Sequence, residues 1–463
     1  MHAHPGQRPD MARHTDPDPI AYEKEVYQRG LRYQRPPFTF KPLEWEPLAA
    51  ERMSADAKGY VLGCAGTGET ARKNRDAFAR WSIVPRRLGL GGMGGTRKGR
   101  NGDGGEEKGI FPDISVEVLG RKLPCPIACA PVGVQKIMNP EGELAAAAAA
   151  AREKVPFIMS TASSTSIEDV ARANDAGADK EGTGRAERWF QLYWPAREHD
   201  DITISMLNRA KKAGFSVLVV TLDTYILGWR PSDMDNGYNP FLRSDKIGVA
   251  IGLTDPVFRT HFRKKHGHDV EAAMGAAAAE WTRTIFPGTG HTLEDVRFLR
   301  SRWDGPIVLK GVQSADDARR IAESGLVDGI VVSNHGGRQA DGGVSSLGAL
   351  PRIVEAVNTV NSQDNGSGSG MRKGKEKRKV EVLFDSGIRS GADIAKALAL
   401  GAKMCLVGRP YVYGLVLGGE EGVAHVLRSL LGDLELTLHL SGIESAAPEH
   451  LNRNVLVKED ELF

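Results

Sequence analysis

The 463-residue chain is short of cysteine, aromatic residues, charge of one sign and long apolar runs. Its four cysteines, Cys64, Cys125, Cys129 and Cys405, show neither the paired-knuckle spacing of a metal site nor the density of a disulfide scaffold. Free thiols and no bound metal are expected. Aromatics make up 6% of the chain, and 61 Lys+Arg stand against 59 Asp+Glu, without a concentrated basic stripe. Nucleic acid is excluded as a partner on that balance. No apolar stretch reaches membrane-spanning length, and the Pro/His/Asp-rich beginning holds no apolar core of a signal peptide. No membrane partner is expected, and the location anticipated is cytoplasmic. The closing Glu461-Leu462-Phe463 is not the peroxisomal tripeptide.

What is present is a rhythm. After Phe111, eight short strand candidates appear: 126–130, 157–160, 189–193, 217–221, 306–310, 329–333, 381–385 and 404–408. Helix candidates lie between them at 141–154, 167–176, 202–213, 315–324, 347–357 and 392–400, and Gly177, Gly214, Gly325 and Gly401 stand where helix-ending glycines belong. Strand then helix, eight times over, predicts an α/β fold of the (β/α)8 TIM-barrel type. The expected organisation is a disordered leader over residues 1–20 and an N-terminal helical segment over 21–110, which caps the barrel and contains a Gly-rich insertion. The barrel then runs over 111–463, with insertions near 232–300 and 361–379. The first of these is long enough to form a lid. The Gly-rich stretch from Leu88 to Lys108 is a weak match to a phosphate loop: no strand is expected before it, and no Gly-Lys-Ser/Thr follows.

Barrels of this kind carry their chemistry at the C-terminal ends of the strands. Those ends hold Ser160, Gln191, Tyr193, Thr221, Asp223, Lys310, Ser333, His335, Arg338, Asp385, Arg389 and Arg409. Each alone has a structural explanation, such as a helix cap for Asp223 or a satisfied turn histidine for His335. So many polar groups converging on one face do not. Asp385-Ser386-Gly387-Ile388-Arg389 and Gly408-Arg409 follow the last two strands, where Gly-rich helix starts and two arginines suit a phosphate.

Several of these runs together resemble the FMN-dependent L-2-hydroxy acid oxidase and dehydrogenase family. They are Phe190-Gln191-Leu192-Tyr193, Thr221-Leu222-Asp223-Thr224, Leu309-Lys310-Gly311, Ser333-Asn334-His335-Gly336-Gly337-Arg338-Gln339 and Asp385 to Arg389, in that order. The resemblance extends from Tyr60 to the C-terminal helices. Within the family, Thr221 to Pro231, Asn239 to Arg243 and Arg409-Pro410-Tyr411 look like the lactate 2-monooxygenase branch. Tyr225 and Ile226 depart from that branch. Ala162 stands where glycolate oxidases carry a tryptophan.

The resemblance implies FMN as cofactor, a small-molecule 2-hydroxy acid and O2 as reactants, and a homo-oligomer, often a tetramer. It implies that His335 acts as base, that Asp223 orients it, and that Lys310 stabilises negative charge on the flavin. Tyr60, Tyr193, Arg230 and Arg338, with His335, would bind substrate. Pro131, Val132, Gly133, Ser160, Gln191, Thr221, Lys310, Ser333, Asp385, Ser386, Gly387, Arg389, Gly408 and Arg409 would hold the cofactor. L-Lactate would give acetate, CO2 and water if the first products stay enclosed, and pyruvate with peroxide if they escape. Two alternatives stand beside this reading: a barrel that binds FMN without catalysis, and a lyase using Lys310 as a Schiff base.

Overall fold

The computed structural model describes residues 21–87, 111–180, 186–242, 247–363 and 378–462. The expected leader, the Gly-rich stretch 88–110, residues 364–377 of the second insertion and Arg243 lie outside them. Four helices open the chain: Ala21–Gly30 (α1), Pro42–Arg52 (α2), Ala55–Leu62 (α3) and Glu69–Ala79 (α4). A strand, Trp81–Ile83 (β1), and a hairpin, Val116–Val118 (β2) with Arg121–Leu123 (β3), come next. Then strand and helix alternate: Ile127–Cys129 (β4), Glu143–Arg152 (α5), Phe157–Ser160 (β5), Ile167–Lys180 (α6), Arg188–Leu192 (β6), Asp200–Lys212 (α7) and Val217–Thr221 (β7). The long interval holds Pro231–Asp235 (α8), Ala250–Thr254 (α9), Pro256–His266 (α10), Met274–Ile285 (α11) and Val296–Arg302 (α12). Ile307–Val312 (β8), Ala315–Ser324 (α13), Gly329–Val332 (β9), Ser346–Gln363 (α14), Glu381–Asp385 (β10), Gly391–Ala399 (α15), Cys405–Val407 (β11), Arg409–Leu440 (α16) and Leu456–Lys458 (β12) complete the chain.

Strands β4 to β11 close into a barrel, each parallel to the next, with β11 returning to β4. They are the eight strands anticipated, their ends shifted by a residue or two. Ala128, Ile158, Val219, Val308, Val331, Leu383 and Leu406 fill the barrel, so it is a packed core and not a pore. The hairpin stoppers its N-terminal end: Val118, Leu119 and Leu123 join the interior cluster, and the Leu119 N–H donates to Glu381 at the start of β10. With the bottom closed, the opposite end is left for a site.

Two expectations are corrected. Gly177 does not end a helix; α6 runs on to Lys180, and a Cβ at Gly177 would lie 2.3 Å from the Ala148 carbonyl oxygen of α5. Its function is close helix approach, a tertiary demand that a glycine in sequence does not reveal. A strand does precede the Gly-rich stretch, since β1 pairs antiparallel with β12. That pairing ties the segment after α4 to the C-terminal strand and is not the parallel unit a phosphate loop needs.

Candidate active site

A cleft opens at the C-terminal end of the barrel. Its enclosed volume is about 120 Å3, and it opens to solvent at the mouth. Tyr60, Pro131, Val132, Gly133, Tyr193, Lys310, His335, Arg338, Asp385, Ser386, Gly387, Arg389, Gly408 and Arg409 all line it. Thus α3 and the ends of six strands contribute walls. Asp223, Ser160, Gln191, Thr221 and Ser333 stand one layer back, each bonded to a neighbour in or near the cleft, and Arg230 lines a chamber that shares Tyr60 with it.

His335 follows β9 at φ 58, the first of three successive left-handed residues. A left-handed non-glycine residue is a strained conformation costing on the order of 1–3 kcal/mol, maintained where the surroundings fix it. Asn334 supplies that fixing: its side chain accepts from the Gly337 N–H at 3.1 Å and exchanges bonds of 2.8 and 2.7 Å with Asn74 of α4. The His335 Nδ1 then lies 2.9 Å from Asp223 Oδ1 and 3.0 Å from the Thr224 hydroxyl, which itself donates to Asp223 at 3.0 Å. Gly311, at φ +106, makes room for this: a Cβ there would sit 2.9 Å from Asp223 Cβ.

Burial is the largest influence on the His335 ring and holds its pKa below 6.5, against the upward pull of Asp223; Lys310 and Arg230 push it down again. At neutral pH the ring is therefore neutral. With Nδ1–H given to Asp223, Nε2 is the basic atom. Burial opposes the Asp223 charge, yet His335 and Lys310 beside it keep its pKa below the usual carboxylate value.

Lys310 is buried, which lowers its pKa, but Asp385 and Asp223 more than compensate and it remains an ammonium. Its Nζ lies 3.1 Å from Asp385 and donates to Ser333 Oγ at 2.9 Å. A raised pKa suits a fixed positive charge and argues against a Schiff-base lysine, which needs a lowered one.

Arg230 donates from Nε to the Arg338 carbonyl at 3.1 Å and from Nη2 to Gln339 Oε1 at 2.7 Å. Burial, with Arg338 close by, brings its pKa down to about 10, so it is still a cation at neutral pH. The Arg338 guanidinium lies 4.7 Å from the centre of the Tyr60 ring and donates to the Gly63 carbonyl at 3.0 Å. Burial, with Tyr60 and Asp223 nearby, raises the Tyr193 pKa, so its hydroxyl remains protonated as a donor.

The residues expected to hold FMN pass a test of fit. Ser160 donates to Gln191 Oε1 at 3.0 Å and Gln191 Nε2 to Thr221 Oγ1 at 3.0 Å, a buried chain of hydroxyls and an amide across three adjacent strands. Burial brings the Arg409 pKa to about 10, again a cation at neutral pH; its guanidinium donates to the carbonyls of Val61, Gly336 and Gly63. Arg389 lies 3.6 Å from Glu46 of α2, and its buried Nε has no acceptor among the described residues. An unpaired guanidinium N–H beside the start of α16 suits an incoming phosphate oxygen. Among the described residues no group of His, Cys, Asp and Glu is placed to hold a metal.

Four contributors escape sequence reading: Thr224, Asn74, Glu46 and Gln339. Gln339 closes a motif already singled out, and Thr224 follows Asp223, so adjacency was a signal for these two. Asn74 and Glu46 sit on helices remote in sequence and carried none.

A family model described as FMN-dependent dehydrogenase matches residues 107–458. An FMN-dependent alpha-hydroxy acid dehydrogenase of Schizosaccharomyces pombe is 57% identical, over 96% of this chain and 97% of that protein. An L-lactate oxidase of Lysinibacillus sphaericus is 37% identical, over 92% and 94%. A crystal structure of mandelate oxidase superposes with a TM-score of 0.67 at 31% identity, covering 88% of this chain and 96% of that one.

Proposed function

The chain belongs to the FMN-dependent dehydrogenase family, as an FMN-dependent oxidoreductase of 2-hydroxy acids, and on that premise we propose that L-lactate is its substrate and O2 its electron acceptor. The observation that carries the reading is the neutral His335, bonded to Asp223 and facing a cleft that also holds Lys310 and Arg338. Arg230 and Arg338 grip the substrate carboxylate, since a guanidinium fork matches two carboxylate oxygens. Tyr60 and Tyr193 add hydroxyl donors. His335 Nε2 takes a proton from the substrate, and Asp223 stabilises the imidazolium that results.

FMN, when bound, supplies the two-electron acceptor. Lys310 keeps a positive charge in the cleft for the negative charge that reduction brings. Arg389 and Arg409, with the backbone at Gly387 and Gly408, would hold the phosphate; Ser160, Gln191 and Thr221 would hold the ring edge. Pro131, Val132 and Gly133 would face the ring, while Ser333, Asp385 and Ser386 would take the ribityl side.

Retention of the first products, so that lactate and O2 leave as acetate, CO2 and water, is supported by the long β7–β8 connection, from which Phe286 packs on Tyr193 and His291 stacks on Trp194 beside the cleft. A second reading has its own observation. A chamber of about 320 Å3, bounded by Tyr60, Arg230, Leu227, Met234, Tyr238 and Phe241, adjoins the cleft and offers space beyond a methyl group. A bulkier 2-hydroxy acid suits that chamber, and a 34%-identical relative is a 4-hydroxymandelate oxidase.

The test is anaerobic mixing of the FMN-loaded protein with a panel of L-2-hydroxy acids. L-Lactate should bleach the flavin absorption; bleaching only by aromatic acids selects the second reading, and no bleaching by any member defeats both. Under air, acetate with CO2 marks enclosed products, whereas pyruvate with peroxide marks release.

A further inference from the structure

Gln339 uses both halves of its side-chain amide, and all its partners lie in one segment. Oε1 accepts from Arg230 Nη2 at 2.7 Å and from the Gly228 N–H at 3.2 Å. Nε2 donates to the carbonyls of Asp223 at 2.8 Å and Ile226 at 2.9 Å. An amide has two acceptor and two donor positions, so its capacity is full. The orientation is also unique: turned over, it would set N–H against N–H at Arg230 and Gly228, and oxygen against oxygen at Asp223 and Ile226.

The consequence is a fixed relation between two stretches distant in sequence. One carries His335 and Arg338, the other Asp223 and Arg230. Backbone contact closes the same seam, since a Cβ at Gly228 would meet the Arg338 and Gln339 main chain at 2.5–2.8 Å. Arg230 spends one N–H on the Arg338 carbonyl and one on Gln339, which leaves three of a guanidinium's five for an anion. Without Gln339 the guanidinium keeps only its Nε anchor and is free to rotate about its last bonds.

We propose that Gln339 is a positioning residue: it aims Arg230 at the substrate carboxylate and holds Asp223 in register with His335. This rests on the functional reading above for the identity of the anion. Gln339 lines neither the cleft nor the adjoining chamber, and acts through its neighbours.

The experiment measures oxalate, a two-carbon dianion, binding to FMN-loaded protein through the change in flavin absorption. Wild type, Gln339→Leu, Arg230→Ala and the double variant form a cycle, with FMN affinity and thermal midpoint followed in parallel. Gln339→Leu should weaken oxalate about ten-fold or more, the size of a lost charge-assisted hydrogen bond, with FMN affinity unchanged. In the Arg230→Ala background the same substitution should change oxalate affinity less than two-fold, because the group it aims is gone. An equal effect in both backgrounds, or oxalate affinity in Gln339→Leu within two-fold of wild type, overturns the proposal. Gln339→Met, unbranched and similar in length, replaces leucine if that variant is unfolded; failure of both to fold also overturns it, by making Gln339 a purely structural residue. Wild type that neither binds oxalate nor is reduced by any 2-hydroxy acid contradicts the functional reading instead, a result separable from either of these.

Discussion

At the scale of single residues the site is a contest between burial and local charge. For His335 burial prevails and the ring is neutral; for Lys310 the neighbouring carboxylates prevail and the amine is charged. One is thereby a base and the other a fixed cation, within one cleft. His335→Ala should leave FMN bound and slow anaerobic reduction by about 10²- to 10⁴-fold, the usual contribution of general-base catalysis; reduction at the wild-type rate in stopped-flow absorption removes it from the mechanism. The pH dependence follows in sign. A ring with its pKa below 6.5 stays deprotonated as pH falls past that value, so the acid limb of kcat/KM should lie under pH 6.5. Asp223→Asn deletes the charge that raises the ring's pKa, so the limb should move further towards acid while kcat falls. A limb that moves towards alkaline pH would contradict the assigned coupling.

At the scale of elements, the barrel was legible because its signals are local. Val217 to Val220 and Ile330 to Val332 are β-branched or leucine runs of strand length, fully buried, and each leads into polar residues. The principal site residues were legible for the same reason: the fold places strand ends on one face, so His335, Lys310 and Asp385 could be grouped before their distances were known. What escaped depends on partners far along the chain. Asn74 meets Asn334 across 260 residues, and Gln339 meets Arg230 across 109; no periodicity encodes such pairs. Gly177 shows the converse error, a local rule applied where tertiary contact decides. Its substitution gives a clean check. Gly177→Val should force α6 away from Ala148 and cost about 1–3 kcal/mol, the range for overpacking, visible as a lower denaturant midpoint. Gly275 has nothing within 4 Å of its would-be Cβ, and Gly275→Ala should leave the midpoint unchanged or raised.

At the scale of the whole molecule, the N-terminal helices are part of the site. Tyr60 of α3 lines the cleft, Asn74 of α4 pins the His335 turn, and Glu46 of α2 faces Arg389. The Glu46 carboxylate also accepts from the Tyr413 hydroxyl of α16 at 2.6 Å. Burial opposes its charge, but Tyr413 and the surrounding arginines hold its pKa below the usual value. Segments from both ends of the chain thus meet around the arginines assigned to the phosphate, so cofactor binding and global stability should be linked. A ligand that binds only the folded state stabilises it by about 2.7 kcal/mol at a hundred times its Kd, and removing FMN should lower the thermal midpoint accordingly. Arg389→Ala should weaken FMN about 10- to 100-fold, as expected for a hydrogen bond to a charged group worth about 1.5–3 kcal/mol, and so lose from about half to most of the gain at a fixed FMN concentration. Riboflavin, which carries the ring and ribityl chain without phosphate, separates the causes. If Arg389 acts on the phosphate, riboflavin should stabilise wild type and Arg389→Ala equally in thermal melts; if the variant loses the riboflavin gain as well, Arg389 supports the fold of the cleft and the phosphate belongs to Arg409 alone.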